Sequence, residues 1–264
     1  ATKIIKTASD IGIGTCYCRH KKEHVNQACD APMEICMTFN GTATSLIKHG
    51  YAKKIDVDEC MDLLEVAKKH NLVQFGDNVQ NEVAFICNCC SCCCEALVAA
   101  RKVGPYQAIN SSNFICNIIQ DNCVGCNRCM EVCPVEAISM VSKNSPKGKQ
   151  RIAQLQEENC IGCGVCERVC KVDAIHMEPR EQRVFTPVDM AHRVVLEAIE
   201  TNKLQNLFFD NQAHFKHRAL AAIVGAILKL PPAKQLLATK QVKSKYILKL
   251  IQKNNKKIVN THVQ

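Results

Sequence analysis

The chain is poor in aromatic residues and has no long apolar run. It contains no tryptophan, and only 5% of its 264 residues are aromatic. Its longest apolar run, at 219–228, is far shorter than the ~18–20 residues that a membrane-spanning helix needs. Residues 1–6 lack the apolar stretch and the cleavage site of a signal peptide. We therefore expect a cytoplasmic protein whose thiols stay reduced.

Sequence signatures of several common enzyme classes are also missing. The chain has no GxSxG nucleophile motif, no phosphate-binding P-loop and no HExxH zinc helix. Gly12-Ile13-Gly14 is only part of a dinucleotide-binding fingerprint, because the third glycine is missing. Nothing in the sequence indicates a flavin or nicotinamide site, and it identifies no catalytic residue.

Cysteine is abundant, with 20 residues. In a reducing compartment so many thiols indicate metal binding and not disulfides. The last eight form two runs of identical spacing, offset by 37 residues: Cys123-x2-Cys126-x2-Cys129-x3-Cys133 and Cys160-x2-Cys163-x2-Cys166-x3-Cys170. At this offset, segments 123–140 and 160–177 share 10 of 18 residues, so the second run is an internal repeat.

This repeat resembles the bacterial-type dicluster ferredoxin family over about residues 114–180. In that family three cysteines of one run and the fourth of the other run bind each [4Fe–4S] cluster. The resemblance implies two such clusters in a ferredoxin-like α+β domain. One would be bound by Cys123, Cys126, Cys129 and Cys170, and the other by Cys160, Cys163, Cys166 and Cys133.

Zinc is the alternative occupant of CxxC pairs, but a zinc site needs only four thiolates and would leave the rest of each run unexplained. One position departs from the family pattern. The proline that follows the fourth cysteine is present as Pro134 but is replaced by Lys171 in the second run. We expect this cation to raise the reduction potential of the adjacent cluster.

Ten further cysteines lie in residues 1–113, and six of them fall within the eight residues 87–94. Neighbouring side chains diverge in a helix or a strand, so this run cannot direct every sulfur to one ion. We predict one or two additional iron–sulfur clusters here, with a structural zinc site or metal-free buried thiols as the alternatives. The candidates are Cys16, Cys18, Cys29, Cys36, Cys87, Cys89, Cys90, Cys92, Cys93 and Cys94.

The remaining cysteines, Cys60 and Cys116, are predicted to be core residues. Residues 56–71 predict an amphipathic helix capped by Asp56 or Asp58, and residues 83–86 predict a short buried strand that precedes the cysteine-rich run. His20 and His24 belong to a basic stretch, for which a solvated face is the preferred interpretation over metal ligation.

All of the net charge of +9 resides in the C-terminal part, because residues 211–264 contain 11 basic and no acidic side chains. Apolar spacing predicts helices over 187–202, 213–230 and after Pro231-Pro232. These helices would pack within the protein, dock an acidic redox partner or contact an anionic membrane peripherally. Nucleic acid is disfavoured, because aromatic residues and known binding motifs are lacking.

These patterns predict an α+β chain of three parts: a Cys-rich α/β module at 1–113, a dicluster ferredoxin domain at 114–184 and a basic helical domain at 185–264. We expect an electron-transfer protein that relays electrons to or from a larger oxidoreductase, and the resemblance to ferredoxins implies an anaerobic or oxygen-poor metabolism. The alternative is a reductase in which the N-terminal cluster is itself the catalytic site. An N-terminal cluster with an open coordination position would favour the reductase.

Overall fold

The computed structural model describes residues 1–104, 112–145, 148–181 and 185–209, together with 215, 217–219 and 221–222. The chain divides into two compact units. The first comprises Ala1–Asn78 and Glu82–Phe185, and the second comprises Val79–Asn81 and Thr186–Gln264. Helices and antiparallel sheets both occur, which agrees with the α+β class. None of the helices in the described ranges combines the length and the apolar character needed to cross a membrane.

A five-stranded antiparallel sheet with the strand order β3-β1-β2-β5-β4 organises residues 1–104. Its strands are β1 (Ile11–Thr15), β2 (Glu34–Phe39), β3 (Lys53–Lys54), β4 (Val73–Gly76) and β5 (Phe85–Cys89). The helices of this part are α1 (Thr2–Thr7), α2 (Tyr17–Glu23), α3 (Asn40–Lys48), α4 (Val57–Lys69) and α5 (Glu95–Val103).

One face of the sheet is closed by an apolar core. Side chains alternate along each strand, so β1, β2 and β5 direct isoleucines, Met37 and Phe39 to the same side, where Leu64 of α4 packs. Helix α4 confirms the predicted helix, and the Asp56 carboxylate caps it by accepting a hydrogen bond from the Glu59 N–H at 2.8 Å. Cys60 is fully buried in this core, as predicted.

The strand that leads into the cysteine-rich run begins later than the sequence predicts. The apolar residues 83–86 suggested the strand, but β5 runs from Phe85 to Cys89. The backbone N–H of Ala84 instead binds the Asp77 carboxylate at 2.9 Å, outside the sheet. Because β5 pairs with β4 up to Cys89, Cys87 and Cys89 are themselves strand residues on one face of the sheet.

Residues 112–181 contain two β-α-β halves that are related by the 37-residue repeat. The first half is β6 (Phe114–Ile118), α6 (Arg128–Glu131) and β7 (Ile138–Ser145); the second is β8 (Gly148–Leu155), α7 (Val165–Val169) and β9 (Ile175–Pro179). Short 3₁₀ helices at Gln120–Asn122 and Glu157–Asn159 recur at the same offset. Strand β6 pairs with β9 and β7 pairs with β8, so each sheet contains one strand from each half.

The two parts of the first unit share one continuous core. Val73, Cys89 and Leu97 pack in the same buried cluster as Val135 and Ala137. Two arginines add polar contacts between the parts. The Arg101 guanidinium donates to the Pro134 carbonyl oxygen at 3.0 Å, and that of Arg168 donates to the Leu72 carbonyl oxygen at 2.9 Å. These contacts hold the cysteine-rich sheet against the repeated halves.

The described part of the second unit contains α8 (Met190–Glu200) and a 3₁₀ helix at Leu204–Leu207. The predicted helix over 187–202 is present, and it begins at Met190 because the Asp189 carboxylate caps the His192 N–H at 2.8 Å. Val195, Ala198 and Leu204 form a small core. The predicted helix over 213–230 lies mostly outside the described residues, and the one after Pro231-Pro232 lies entirely outside them.

The two halves also share backbone conformation at equivalent glycines, and a substitution at one of them tests the fold. Gly125 and Gly162 both have positive φ, at 69° and 67°. A Cβ on Gly162 would overlap the Phe114 carbonyl oxygen, and one on Gly125 would overlap that of Arg151. Only glycine combines this conformation with such a close backbone approach.

We expect Gly162→Ala to lower the free energy of unfolding by about 1–3 kcal/mol, because alanine is strained in the left-handed conformation. The overlap of its Cβ with the Phe114 carbonyl oxygen adds to this loss. Thermal unfolding monitored by circular dichroism measures the loss. Gly164→Asn is the matched control. Gly164 has a φ of 72°, its repeat equivalent is Asn127, and a new Cβ would meet only Met177 Cγ at 3.7 Å. Equal melting temperatures for the two variants would contradict the requirement for glycine at 162.

Candidate metal centres

The cysteine runs of the two halves enclose two separate cavities. The lining of one includes Cys133, Cys160, Cys163 and Cys166. The lining of the other includes Cys123, Cys126, Cys129 and Cys170. The fourth cysteine of each run therefore lies in the cavity of the other run. The structure brings together the same two sets of four that the family resemblance implied.

Backbone N–H groups point at sulfur atoms in both cavities. The N–H of Ala137 donates to Cys133 Sγ at 3.2 Å, and that of Ala174 donates to Cys170 Sγ at 3.3 Å. These two bonds are equivalent under the repeat. Such donors stabilise a thiolate and influence the potential of any metal that it binds.

The thiols of the cavities have a chemistry that fits bound metal. Burial raises the pKa of Cys129 to about 11 and that of Cys163 to about 12, and the neighbouring thiols add to both shifts. Several thiolates cannot share such a cavity without a cation, and a metal ion supplies one. Four sulfurs in a largely apolar lining are the donor set that iron–sulfur clusters require.

Cys116 has a role that the sequence did not reveal. It is buried in the core as predicted, and it also lines the cavity that contains Cys133, where its thiol raises the pKa of Cys166. Under the 37-residue offset Cys116 is equivalent to Ala153. Ala153 lines the other cavity and donates its N–H to Cys123 Sγ at 3.4 Å. One cavity therefore contains a fifth thiol where the other has an alanine.

Six of the N-terminal cysteines lie near one another: Cys36, Cys87 and Cys89 are on the sheet face opposite the apolar core, and Cys16, Cys18 and Cys94 lie beside them. We call them the six-thiol group. Cys36 contacts Cys87 across adjacent strands, Cys87 contacts Cys89, and Cys89 contacts Cys94. Hydrogen bonds from its neighbours Cys36 and Cys89 lower the pKa of Cys87 to about 3, against the effect of burial. The members of the group are Cys16, Cys18, Cys36, Cys87, Cys89 and Cys94.

The other four N-terminal cysteines form a tighter cluster, which we call the four-thiol group: Cys29, Cys90, Cys92 and Cys93. Their four Sγ atoms all lie within 4.8 Å of one another. The Cys92–Cys93 separation is 3.5 Å and the Cys93–Cys29 separation is 3.9 Å. In the described residues this is the only set of three or more such ligands close enough to hold one metal ion.

The cysteines of the run 87–94 are therefore divided between the two groups. Cys89 faces the six-thiol group, and Cys90 faces the four-thiol group. Cys93 and Cys94 divide in the same way. This division agrees with the expectation that so dense a run cannot serve one ion.

Arg19 is a second residue whose place the sequence did not reveal. It belongs to the basic stretch that suggests a solvated face; His20 and His24 are exposed as expected, but Arg19 is completely buried. Its guanidinium donates to the carbonyl oxygens of Pro32 and Asn88 and contacts the Cys90 thiol. The only indication in the sequence was that Arg19 directly follows Cys18, a candidate metal ligand.

The charge of Arg19 acts on the four-thiol group. Burial is the largest single influence and raises the pKa of Cys90, but hydrogen bonds from Arg19, from the Cys93 N–H and from Cys29, with the charge of Arg19, together outweigh it and lower the pKa to about 7. The Arg19 guanidinium thus favours a thiolate at Cys90.

The comparisons with known proteins agree with the two cavities. The family model for the 4Fe-4S dicluster domain matches residues 122–174. The matched segment spans both cysteine runs. The search of curated proteins found no match to the chain. Residues 122–174 are therefore similar to the dicluster ferredoxin-type family of 4Fe-4S domains.

Proposed function

We propose that the protein transfers electrons through two [4Fe–4S] clusters in residues 122–174 and a third iron–sulfur cluster in the six-thiol group. The observation that carries the proposal is the pair of cavities, each of which receives three cysteines from one run and the fourth from the other. When bound, such clusters supply one-electron redox chemistry. The protein holds them with eight thiolates and surrounds them with apolar side chains.

The packing of the first unit supports an order for the transfer. Arg168 binds the Leu72 carbonyl oxygen and lies in the electrostatic field of Cys163 and Cys166. Arg101 of α5 donates to the carbonyl oxygen of Pro134, which lines that same cavity. The cavity that contains Cys163 and Cys166 therefore adjoins the cysteine-rich sheet.

The other cavity reaches the protein surface. Cys126 in its lining is exposed, and Val124 beside it is 61% exposed. An exposed apolar side chain next to a ligand gives a partner protein a close approach to the cluster. We propose that electrons pass between the six-thiol group and a partner at this surface, through the two cavities in series.

The partner is proposed to be a larger oxidoreductase with an acidic surface. The 11 basic and no acidic side chains of residues 211–264 support this choice, because complementary charge accelerates association. Contact of the same segment with an anionic membrane is the competing role. Loss of salt-sensitive liposome binding on removal of 211–264 would favour the membrane.

The six-thiol group supports electron transfer over catalysis. A [4Fe–4S] cluster has four irons that need a protein ligand, and this group provides six thiols. With ligands in excess, no coordination position has to remain open for a substrate. The number of thiols therefore weighs against the alternative of a reductase that uses its N-terminal cluster as the catalytic site.

Two double variants, each lacking two thiols, test whether the fourth cysteine of each run binds the cluster of the other run. Cys126→Ala with Cys170→Ala removes two ligands of one cluster, so one intact cluster should remain with about four irons from this domain. Cys163→Ala with Cys170→Ala removes one ligand from each cluster, so neither should remain intact. Electron paramagnetic resonance of the reduced protein counts the intact clusters.

If Cys170 instead served the cluster of its own run, the results would be reversed. An intact cluster in the Cys163→Ala, Cys170→Ala variant, together with none in the other, would contradict the proposed arrangement. The N-terminal cysteines are unchanged in both variants, so the comparison is internally controlled.

If the six-thiol group binds a third cluster, removal of its cysteines should lower the iron content without affecting the dicluster domain. The triple variant Cys36→Ala, Cys87→Ala, Cys89→Ala leaves only three thiols in the six-thiol group, too few for four irons, so iron and sulfide should each fall by about four per chain. The resonance signals of the dicluster domain should persist. Cys60→Ala is the control, because this thiol is buried in the opposite core. An unchanged iron content in the triple variant would show that the six-thiol group binds no cluster.

A further inference from the structure

The four-thiol group has the dimensions of a site for one ion. In a tetrahedral zinc site with Zn–S bonds of about 2.3 Å, neighbouring sulfurs are about 3.8 Å apart. The separations of Cys93 from Cys92 and Cys29 are 3.5 and 3.9 Å, and no pair among the four exceeds 4.8 Å. A [4Fe–4S] cluster places its four cysteines on four different irons, and therefore farther apart. The sulfur separations thus fit one ion better than a cluster.

Arg19 provides a second, independent indication of bound charge. Its side chain is fully buried, and in the described part of the chain it forms no ion pair with a carboxylate. Two of its nitrogens donate to carbonyl oxygens, while Nε has no hydrogen-bond partner. A buried cation is costly unless an opposite charge lies beside it. Four thiolates around a divalent ion carry a net charge of −2, and Cys90 of this group touches Arg19.

We propose that Cys29, Cys90, Cys92 and Cys93 bind one Zn²⁺ ion in a closed structural site, with Arg19 as the charge-compensating residue. All four coordination positions are filled by protein sulfur, so the site leaves no position for a substrate. The ion joins residue 29 to a turn more than sixty residues later. It thereby anchors the turn from which Cys89 and Cys94 reach the six-thiol group.

This site and the proposed electron-transfer function can be tested separately, because the four-thiol group shares no cysteine with the other metal centres. The experiment uses the full chain, purified anaerobically, with zinc, iron and sulfide determined on one sample. We expect about one zinc per chain, and its loss in Cys29→Ala and Cys92→Ala without a change in iron. Cys60→Ala should retain the zinc. Cys92 is exposed, so its replacement perturbs packing least.

Cobalt provides a readout on the unmutated chain. Co²⁺ in place of zinc should show the intense visible bands of a tetrahedral tetrathiolate site, and these bands should be absent in Cys29→Ala. A loss of about four irons and their sulfide from Cys29→Ala would overturn the proposal, because it would identify the site as a cluster. A wild-type chain with no zinc and no tetrahedral cobalt spectrum would also overturn it.

The role of Arg19 is tested by its charge. Arg19→Met keeps an elongated side chain but removes the cation, so we expect the affinity for zinc to fall about 10–100-fold in competition with a chelator. Arg19→Lys should restore part of it. Equal zinc affinities in the Met and Lys variants would contradict charge compensation. The resonance signals of the dicluster domain report in the same samples whether the chain remains folded.

Discussion

Thiolates can be gathered in a dry interior only when positive charge is present, and this constraint governs the first unit. Burial raises the pKa of Cys129 and Cys163, so the isolated thiols of the cavities resist ionisation. Backbone N–H donors at Cys133 and Cys170 and the guanidinium of Arg19 supply part of the missing positive charge. Metal ions are the remaining source. Folding and metal binding are therefore expected to be coupled in this protein.

In the dicluster domain, the thiolates are gathered in two equivalent cavities that are related by the sequence repeat. The pairing of β6 with β9 and of β7 with β8 exchanges strands between the two halves, so the fourth cysteine of each run enters the cavity of the other. The symmetry is broken at two positions beside the cysteines. Cys116 faces one cavity where Ala153 occupies the equivalent place, and Lys171 replaces the proline found at 134. These differences give the two centres distinct surroundings.

In the cysteine-rich sheet, the thiols that need positive charge are divided between two separate groups. Strand β5 holds Cys87 and Cys89 on one face, and the chain then turns, so that Cys90 and its neighbours meet Cys29 elsewhere. A tight run of cysteines thus supplies two groups of different shape. Contact of this sheet with the dicluster domain through Leu72 and Leu97 places the six-thiol group beside one cavity.

The sequence alone determined the repeat, its family resemblance and the cysteines that share a cavity, because these features depend on spacing along one short segment. It also predicted α4 and the helix at Met190–Glu200, since apolar periodicity and aspartate caps are local signals. Only the tertiary structure decided how the ten N-terminal cysteines divide, where Arg19 lies and that Cys116 enters a cavity. Those placements depend on strand register and on contacts between residues far apart in sequence, and neither leaves a periodic signal in a single chain.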